Sequence, residues 1–510
     1  MKRLTMTGLA LFAVATLNAQ VDDDWLKQMK ESQKVAQKEY EEFQQQAIKQ
    51  YDDFRRKANE DYAKFMEEAW KAYDAQPAEE PPTRPKPPVP LIDEKDPEPA
   101  PTPDPGNEKR PDVEPVRIPD PIILPELTRP YVAPERPQPI QPIVPNTVPM
   151  TAAQNVILYG SPFPFHIENE PMLALKDVSE KSVAKMWKEL SEPSFDHIIA
   201  ECLQQRDQHN LCDWAYIRLT QSVAERQFGK GTNEAVVMQM YLLTQSGYQM
   251  RIGRDNSNKH LVLLIGSDEL IYRYKCFILG GKRFYIMDKR FKQRGLDIFD
   301  HAFPNEKTFS LALTQPDLQV VKTKERTITS DRFDNVSVTV QTNQNLIDFY
   351  NDYPLSAMWH YYSLASLSEV MKESLYPALR KAIEGKTELM AANILLNFVQ
   401  TGFKYQKDDQ QFGYERPLYP DESFYYPYCD CEDRSILFSC LVRELLGLDV
   451  VLLDYPGHIA TAVCFNEDVK GDYFELDGKK FVISDPTYIN APVGECAPKY
   501  RDKSPKLIKF

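Results

Sequence analysis

Little in this 510-residue sequence suits it to a membrane interior or a nucleic acid. Beyond a short run at its start, no segment is apolar enough to cross a bilayer, so no integral membrane segment is expected. Positive charge is in deficit: 61 Lys and Arg against 75 Asp and Glu leave a net −14. Phosphate recognition needs a basic surface, so no nucleic-acid partner is expected, and an anionic membrane is disfavoured on the same ground. Eight cysteines in a chain of this length are too few for a disulfide scaffold. Cys429 and Cys431 form a C-x-C pair, but no second pair or histidine cluster completes a metal site. No metal and no cofactor are assigned.

The N-terminus has the features of an export signal. Lys2 and Arg3 precede an apolar run over Leu9–Leu17, and Ala19 before Gln20 is a cleavage point. Residues 1–19 are therefore read as a signal peptide, and the protein as exported, periplasmic or secreted. Residues 20–76 follow as an amphipathic segment, with 25–75 expected as one continuous helix rich in Glu, Lys, Gln and Ala and free of Pro and Gly. An eleven-residue repeat runs through it: Tyr40, Phe43 and Ala47 recur as Tyr51, Phe54 and Ala58, and again as Tyr62, Phe65 and Ala69. Eleven residues span three helical turns, so the stripe stays on one face and calls for a partner surface, a neighbouring domain or a second chain. Of 40 prolines, 24 lie between Pro77 and Pro149. Residues 77–149 are accordingly expected to be a stiff, mostly disordered spacer in extended polyproline conformation.

The globular part begins near residue 150, and one unit recurs in it. Phe277–Asp288 reads FILGGKRFYIMD and Phe474–Asp485 reads FELDGKKFVISD, identical at seven of twelve positions. Each hairpin is preceded by a helical stretch ending at a glycine, Gly247 or Gly447, and by a histidine that opens an apolar strand, His260 or His458. The Asp follows the His by 28 residues in one copy and 27 in the other. The order and spacing of these landmarks indicate duplication. The expected organisation is a first copy over 150–305, a β-rich connection over 306–349 with strands in TFSLAL, LQVVKT and VSVTVQT, and a second copy over 350–510.

The second copy carries the chemistry. Ile436, Leu437, Cys440, Leu441 and Leu445 recur at helical spacing after Cys431, and Asp430 suits the N-cap. Unpaired amides at a helix start favour a thiolate, which is the nucleophilic form. His458 follows Pro456-Gly457 and opens the strand HIATAV, and Asp485 ends FVIS before Pro486. A thiol, an imidazole and a carboxylate in this order form a nucleophile, a base and an orienting group. The first copy retains His260 and Asp288 but has Gly231 where the thiol belongs, so it is read as an inactive partner.

The segments DCEDRS, PGHIATAV and FVISDPTYINAPVG resemble the bacterial transglutaminase-like superfamily of cysteine peptidases and amidases. That resemblance covers about residues 350–510. It implies an α+β, papain-like core with the Cys helix packed on an antiparallel sheet. It makes Cys431 the nucleophile, His458 the general base and acid, Asp485 the orienting group and Asp433 a structural residue of the helix start. Cys429 departs from the family pattern, because an oxidised C-x-C would mask the nucleophile. The Cys431 amide, Gln400, Tyr425, Tyr426 and Tyr428 are candidate oxyanion donors. The function expected is an exported thiol hydrolase or acyl transferase acting on a peptide or protein substrate. The alternative is a non-catalytic envelope scaffold whose long helix, through self-association or a partner protein, holds two binding domains.

Overall fold

The computed structural model describes residues 23–82, 91–92, 114–128, 132, 134–145, 152–167 and 173–510, apart from 256, 258, 289–290, 334–335 and 357–358. The expected signal peptide lies outside them. Two compact units are present, Met1–Arg56 and Lys57–Phe510. Among the described residues no helix is long and apolar enough to cross a membrane.

Helix α1 spans Asp23–Met66 and is shorter than the composition suggests. The expected helix to residue 75 is corrected here: Lys71–Asp74 is a strand, β1, on the edge of a sheet, where it pairs antiparallel with Gly295–Phe299. Propensity favours helix over 71–75, but an open sheet edge offers backbone partners that a solvated last turn does not. Of the aromatic stripe, Tyr62 is buried and packs on Trp187, Phe299 and Phe303 at centroid distances of 5.0, 5.0 and 5.1 Å. Phe65 stacks on His301. In the other unit, Tyr40, Phe43 and Phe54 are exposed.

The Pro-rich stretch departs furthest from expectation. Its described parts are ordered and strapped to the globular body. Strand β2, Leu91–Ile92, pairs in parallel with Tyr488–Ile489. Val116 and Ile118 exchange backbone hydrogen bonds with Tyr473 (3.1 and 2.9 Å), and Ile118 is buried. Ile122 does the same with Pro505 and Leu507 (2.7 and 2.9 Å), and a short helix, Pro125–Thr128, follows. Proline removes a donor only at its own position. The residues between prolines keep theirs and spend them on sheet edges that would otherwise be open.

Two antiparallel sheets form the frame, so the fold is α+β. In the first, helices α2 (Asp213–Phe228) and α3 (Asn233–Gln245) precede β3 (Met250–Asp255), β4 (Leu261–Gly266), β5 (Cys276–Leu279), β6 (Lys282–Ile286) and β7 (Gly295–Phe299), and the strand order is β1-β7-β3-β4-β6-β5. In the second, helices α4 (Glu388–Gly402) and α5 (Cys431–Leu446) precede β8 (Asp449–Tyr455), β9 (His458–Cys464), β10 (Tyr473–Leu476), β11 (Lys479–Ser484), β12 (Tyr488–Ile489) and β13 (Lys506–Ile508). Its order is β13-β8-β9-β11-β10, which is that of the first sheet without β1. Registers correspond as well. Met250 faces Ile265 as Val450 faces Val463. Leu264 faces Ile286 as Ala462 faces Ile483. Cys276 faces Tyr285 as Tyr473 faces Val482. Gly253 faces Ile298 as Leu453 faces Leu507. In both, the second helix packs on the two central strands and against the helix before it.

Both second helices end on glycine in the left-handed region, Gly247 at φ 91° and Gly447 at φ 68°. At Gly247 a side chain is excluded twice over, because a Cβ would lie 2.0 Å from the carbonyl oxygen of Gln138 in the Pro-rich strap.

The connection holds fewer strands than expected. Arg326–Thr329 and Ser337–Val340 form a hairpin, the latter within VSVTVQT, but TFSLAL and LQVVKT are not strands. The amide of Ser310 goes instead to Asp213 Oδ2 (3.0 Å) and that of Leu311 to Glu269 Oε2 (2.8 Å). Carboxylates here take the place of a ladder partner.

Candidate active site

The start of α5 is fixed by a reciprocal cap. The Asp430 side chain accepts from the Asp433 amide while Asp433 Oδ2 accepts from the Asp430 amide at 3.0 Å. Asp433 Oδ1 also accepts from the Leu418 amide at 2.8 Å, tying the helix start to the preceding loop. These bonds match the structural role expected of Asp433. They place Cys431 on the first residue of the helix, 1 % exposed.

One turn further on, Ser435 Oγ donates to the carbonyl of Ile459 at 3.0 Å and pins the helix to the beginning of β9. Cys431 lies four residues before Ser435 on the same helix face, and His458 immediately precedes Ile459. The helix start and the strand start are thereby brought together.

His458 is buried. Its Nε2 meets Asp485 Oδ2 at 2.7 Å, and Asp485 Oδ1 is held by the amides of Thr487 (2.9 Å) and Tyr488 (3.2 Å). An ionised carboxylate can only accept, so Nε2 is the donor of this bond, and in a neutral imidazole Nδ1 then carries the lone pair. That Nδ1 is buried without a hydrogen bond. Tyr500 stacks on the imidazole at 4.9 Å between centroids and 9° between planes, and itself stacks on Tyr455.

The thiol is turned elsewhere. Cys431 Sγ donates to Glu432 Oε2 at 3.2 Å, and His458 Nδ1 receives no bond from it. The structure pairs the imidazole with Asp485 and the thiol with Glu432. Glu432 was not among the sequence candidates, since an acidic residue in the first turn of a helix is ordinary. Tyr500 offered no sequence signal at all.

Gln400, considered as an oxyanion donor, serves otherwise. Its Nε2 lies 3.0, 2.8 and 3.0 Å from the carbonyl oxygens of Asp485, Tyr488 and Ala491, which fastens the loop bearing Asp485 to the last turn of α4. The Tyr426 hydroxyl donates to Asn351 Oδ1 at 2.6 Å. Cys429 is buried on a short strand paired with Lys404–Tyr405. Burial pushes its thiol up to about 11, against the opposing pull of Arg434. Neither Cys429 nor Cys431 is joined in a disulfide. His260 is exposed, and Gly231 occupies the turn before α3.

Acidic groups crowd this helix start. Oxygen or sulfur atoms of Asp430, Cys431 and Glu432 lie within 4.8 Å of one another, as do those of Asp408, Asp430 and Asp433, and those of Asp408, Glu415 and Glu432. Several of these oxygens are already engaged by backbone: Asp408 Oδ2 accepts from the Arg416 amide at 2.6 Å, and both Asp433 oxygens accept amides. This donor set is organised by the chain itself. No family model, curated protein or solved structure matches the chain.

Proposed function

We propose that the protein is an exported thiol hydrolase or acyl transferase acting on peptide-like amides. Its core is read as duplicated and papain-like, of the transglutaminase-like type, with the second copy as the catalytic one. The observation that carries this reading is the buried His458–Asp485 pair at 2.7 Å, whose remaining ring nitrogen makes no hydrogen bond. The matching strand order and registers of the two sheets support the duplication.

The chemistry follows from the protonation pattern. Nδ1 of His458 takes the thiol proton as Cys431 Sγ attacks the amide carbonyl carbon. The tetrahedral adduct collapses to a thioester, and the departing amine leaves with the proton from Nδ1. Water or a second amine then attacks the thioester and restores the thiol, again through His458. Asp485 holds the imidazole in the tautomer this needs and stabilises it when charged. Before the first step, Sγ–H must leave Glu432 for His458.

A second reading, a non-catalytic envelope scaffold, is favoured by one observation. Cys431, His458 and Asp485 are 1, 1 and 3 % exposed, and the thiol bonds to a carboxylate rather than to the base. Alkylation separates the two. The hydrolase reading expects selective iodoacetamide labelling of Cys431 at neutral pH, lost in His458→Ala, and turnover of dipeptide or peptidoglycan-derived amides. Uniformly slow labelling of all eight thiols, unaffected by His458, identifies the scaffold.

A further inference from the structure

Cys431, His458 and Asp485 are buried, and Tyr500 is part of what closes over them. Its ring stacks on the His458 imidazole. Burial pushes its hydroxyl up, and the charges of Asp485 and Cys431, close enough to act on it, push the same way. Tyr500 lies in a single short turn, Pro498–Tyr500, and one carboxylate holds that turn from both flanks. Asp472, buried just before β10, accepts through Oδ2 from the Cys496 amide at 2.9 Å and from Arg501 Nε at 3.0 Å. Its Oδ1 accepts from the Val116 amide, in the Pro-rich strap, at 3.0 Å. The strap meets the same region twice more. Ile118 belongs to one buried apolar cluster with Tyr455, Tyr488, Ala497 and Tyr500. Leu91–Ile92 pairs with Tyr488–Ile489, on the loop just past Asp485.

A buried carboxylate stays where its donors are, because an unmet oxygen away from water is costly. With the strap seated, Asp472 draws donors from the strap and from both ends of the Tyr500 turn. With the strap displaced, it loses the Val116 amide, and the cluster loses Ile118. Water then reaches the carboxylate, and its bonds to the turn compete with solvent. We infer that residues 116–122 of the strap are an autoinhibitory latch. Seated, they hold Tyr500 across His458 through Asp472. Displaced, they let the turn lift and open the way to Cys431. The latch is backbone pairing at the edge of β10, so it is reversible and involves no covalent step. The inference rests on the thiol-hydrolase reading, whose regulation it describes.

The test is the rate at which iodoacetamide labels Cys431 in the full-length chain. Val116→Pro removes the amide that reaches Asp472 and keeps the Val116 carbonyl, which accepts from the Tyr473 amide at 3.1 Å. The residue before it is already proline, so the strap backbone accommodates the change. Arg501→Gln loosens the same carboxylate from the side of the turn and leaves the strap untouched. Each variant is expected to label Cys431 about tenfold faster than wild type, the effect of losing one hydrogen bond to a charged group. Cys202 and Cys212, buried elsewhere, are expected to keep their wild-type rates. An unchanged rate at Cys431, or an equal rise at Cys202 and Cys212, overturns the latch. Acceleration in one variant but not the other also overturns it, because both act on one carboxylate. His458→Ala in the Val116→Pro chain reports separately on the enzyme. Accelerated labelling that ignores His458 overturns the hydrolase reading and leaves the latch standing. Labelling that depends on His458 but is no faster in Val116→Pro does the reverse.

Discussion

At the scale of single residues, position in a hydrogen-bond network decides role more than residue type does. Cys429 and Cys431 are two residues apart and both buried, yet only Cys431 stands at a helix start. Cys431→Ala is expected to abolish amide turnover and iodoacetamide labelling at that position. Cys429→Ser is expected to keep both, because its thiol, pushed up to about 11, stays protonated at neutral pH. A dead Cys429→Ser variant beside an active Cys431→Ala would reverse the assignment. Asp421 gives a pH test away from this corner. It is fully buried, accepts both the Ser368 amide and hydroxyl, and burial pushes its carboxyl up to about 6 despite those bonds. The folded state therefore keeps a proton that the unfolded chain releases near pH 4. Its contribution favours folding below about pH 4 and is lost as pH rises to about 6, by about 3 kcal/mol. Urea unfolding of wild type and Asp421→Asn across pH 4–7 should differ in slope by that amount within the window. Parallel curves would refute it.

Among the elements, the Pro-rich strap has most to answer for. It covers both outer strands of the second sheet: Val116 and Ile118 lie on β10, and Ile122 lies on β13. Open edges of this kind invite pairing with another chain. The Ile118 and Ile122 amides, bonded at 2.9 and 2.7 Å, should exchange with deuterium as slowly as interior sheet amides. Ile118→Asp places a charge at a position 1 % exposed, which costs about 3 kcal/mol or more. It is expected to release this part of the strap, with fast exchange at both amides and a tendency to aggregate through β10. Fast exchange in the wild type would mean that the strap does not hold these edges.

For the whole molecule, the division at Arg56 has a direct consequence. A chain starting at Lys57 retains Tyr62, Ala63, Met66, Trp70 and β1, all part of the larger unit. Its Tm should equal that of the full chain. A chain starting at residue 77 loses five buried side chains, Asn59 with those four, and an edge strand, and its Tm should fall by roughly 10 °C. Calorimetry of the two truncations checks this, and a substantial drop for the longer one would show that residues before Lys57 stabilise the body.

The sequence by itself determined what depends on near neighbours. Asp430 to Asp433 carry their own cap, and the Gly-Lys hairpins at Gly281 and Gly478 carry their own turns. His458 and Asp485 sit at strand ends because Pro-Gly precedes one and Pro486 follows the other. These signals are local, so they survive without a fold around them. Only the tertiary structure decided the partners. Glu432 rather than His458 holds the thiol, Gln400 holds the Asp485 loop, and Tyr500 covers the imidazole. Residues 71–74 leave a helical pattern for a sheet edge, and scattered isoleucines between prolines become strap contacts. Each of these rests on a group far along the chain whose buried donor or acceptor must be satisfied. No local pattern records which distant atom will be there to satisfy it.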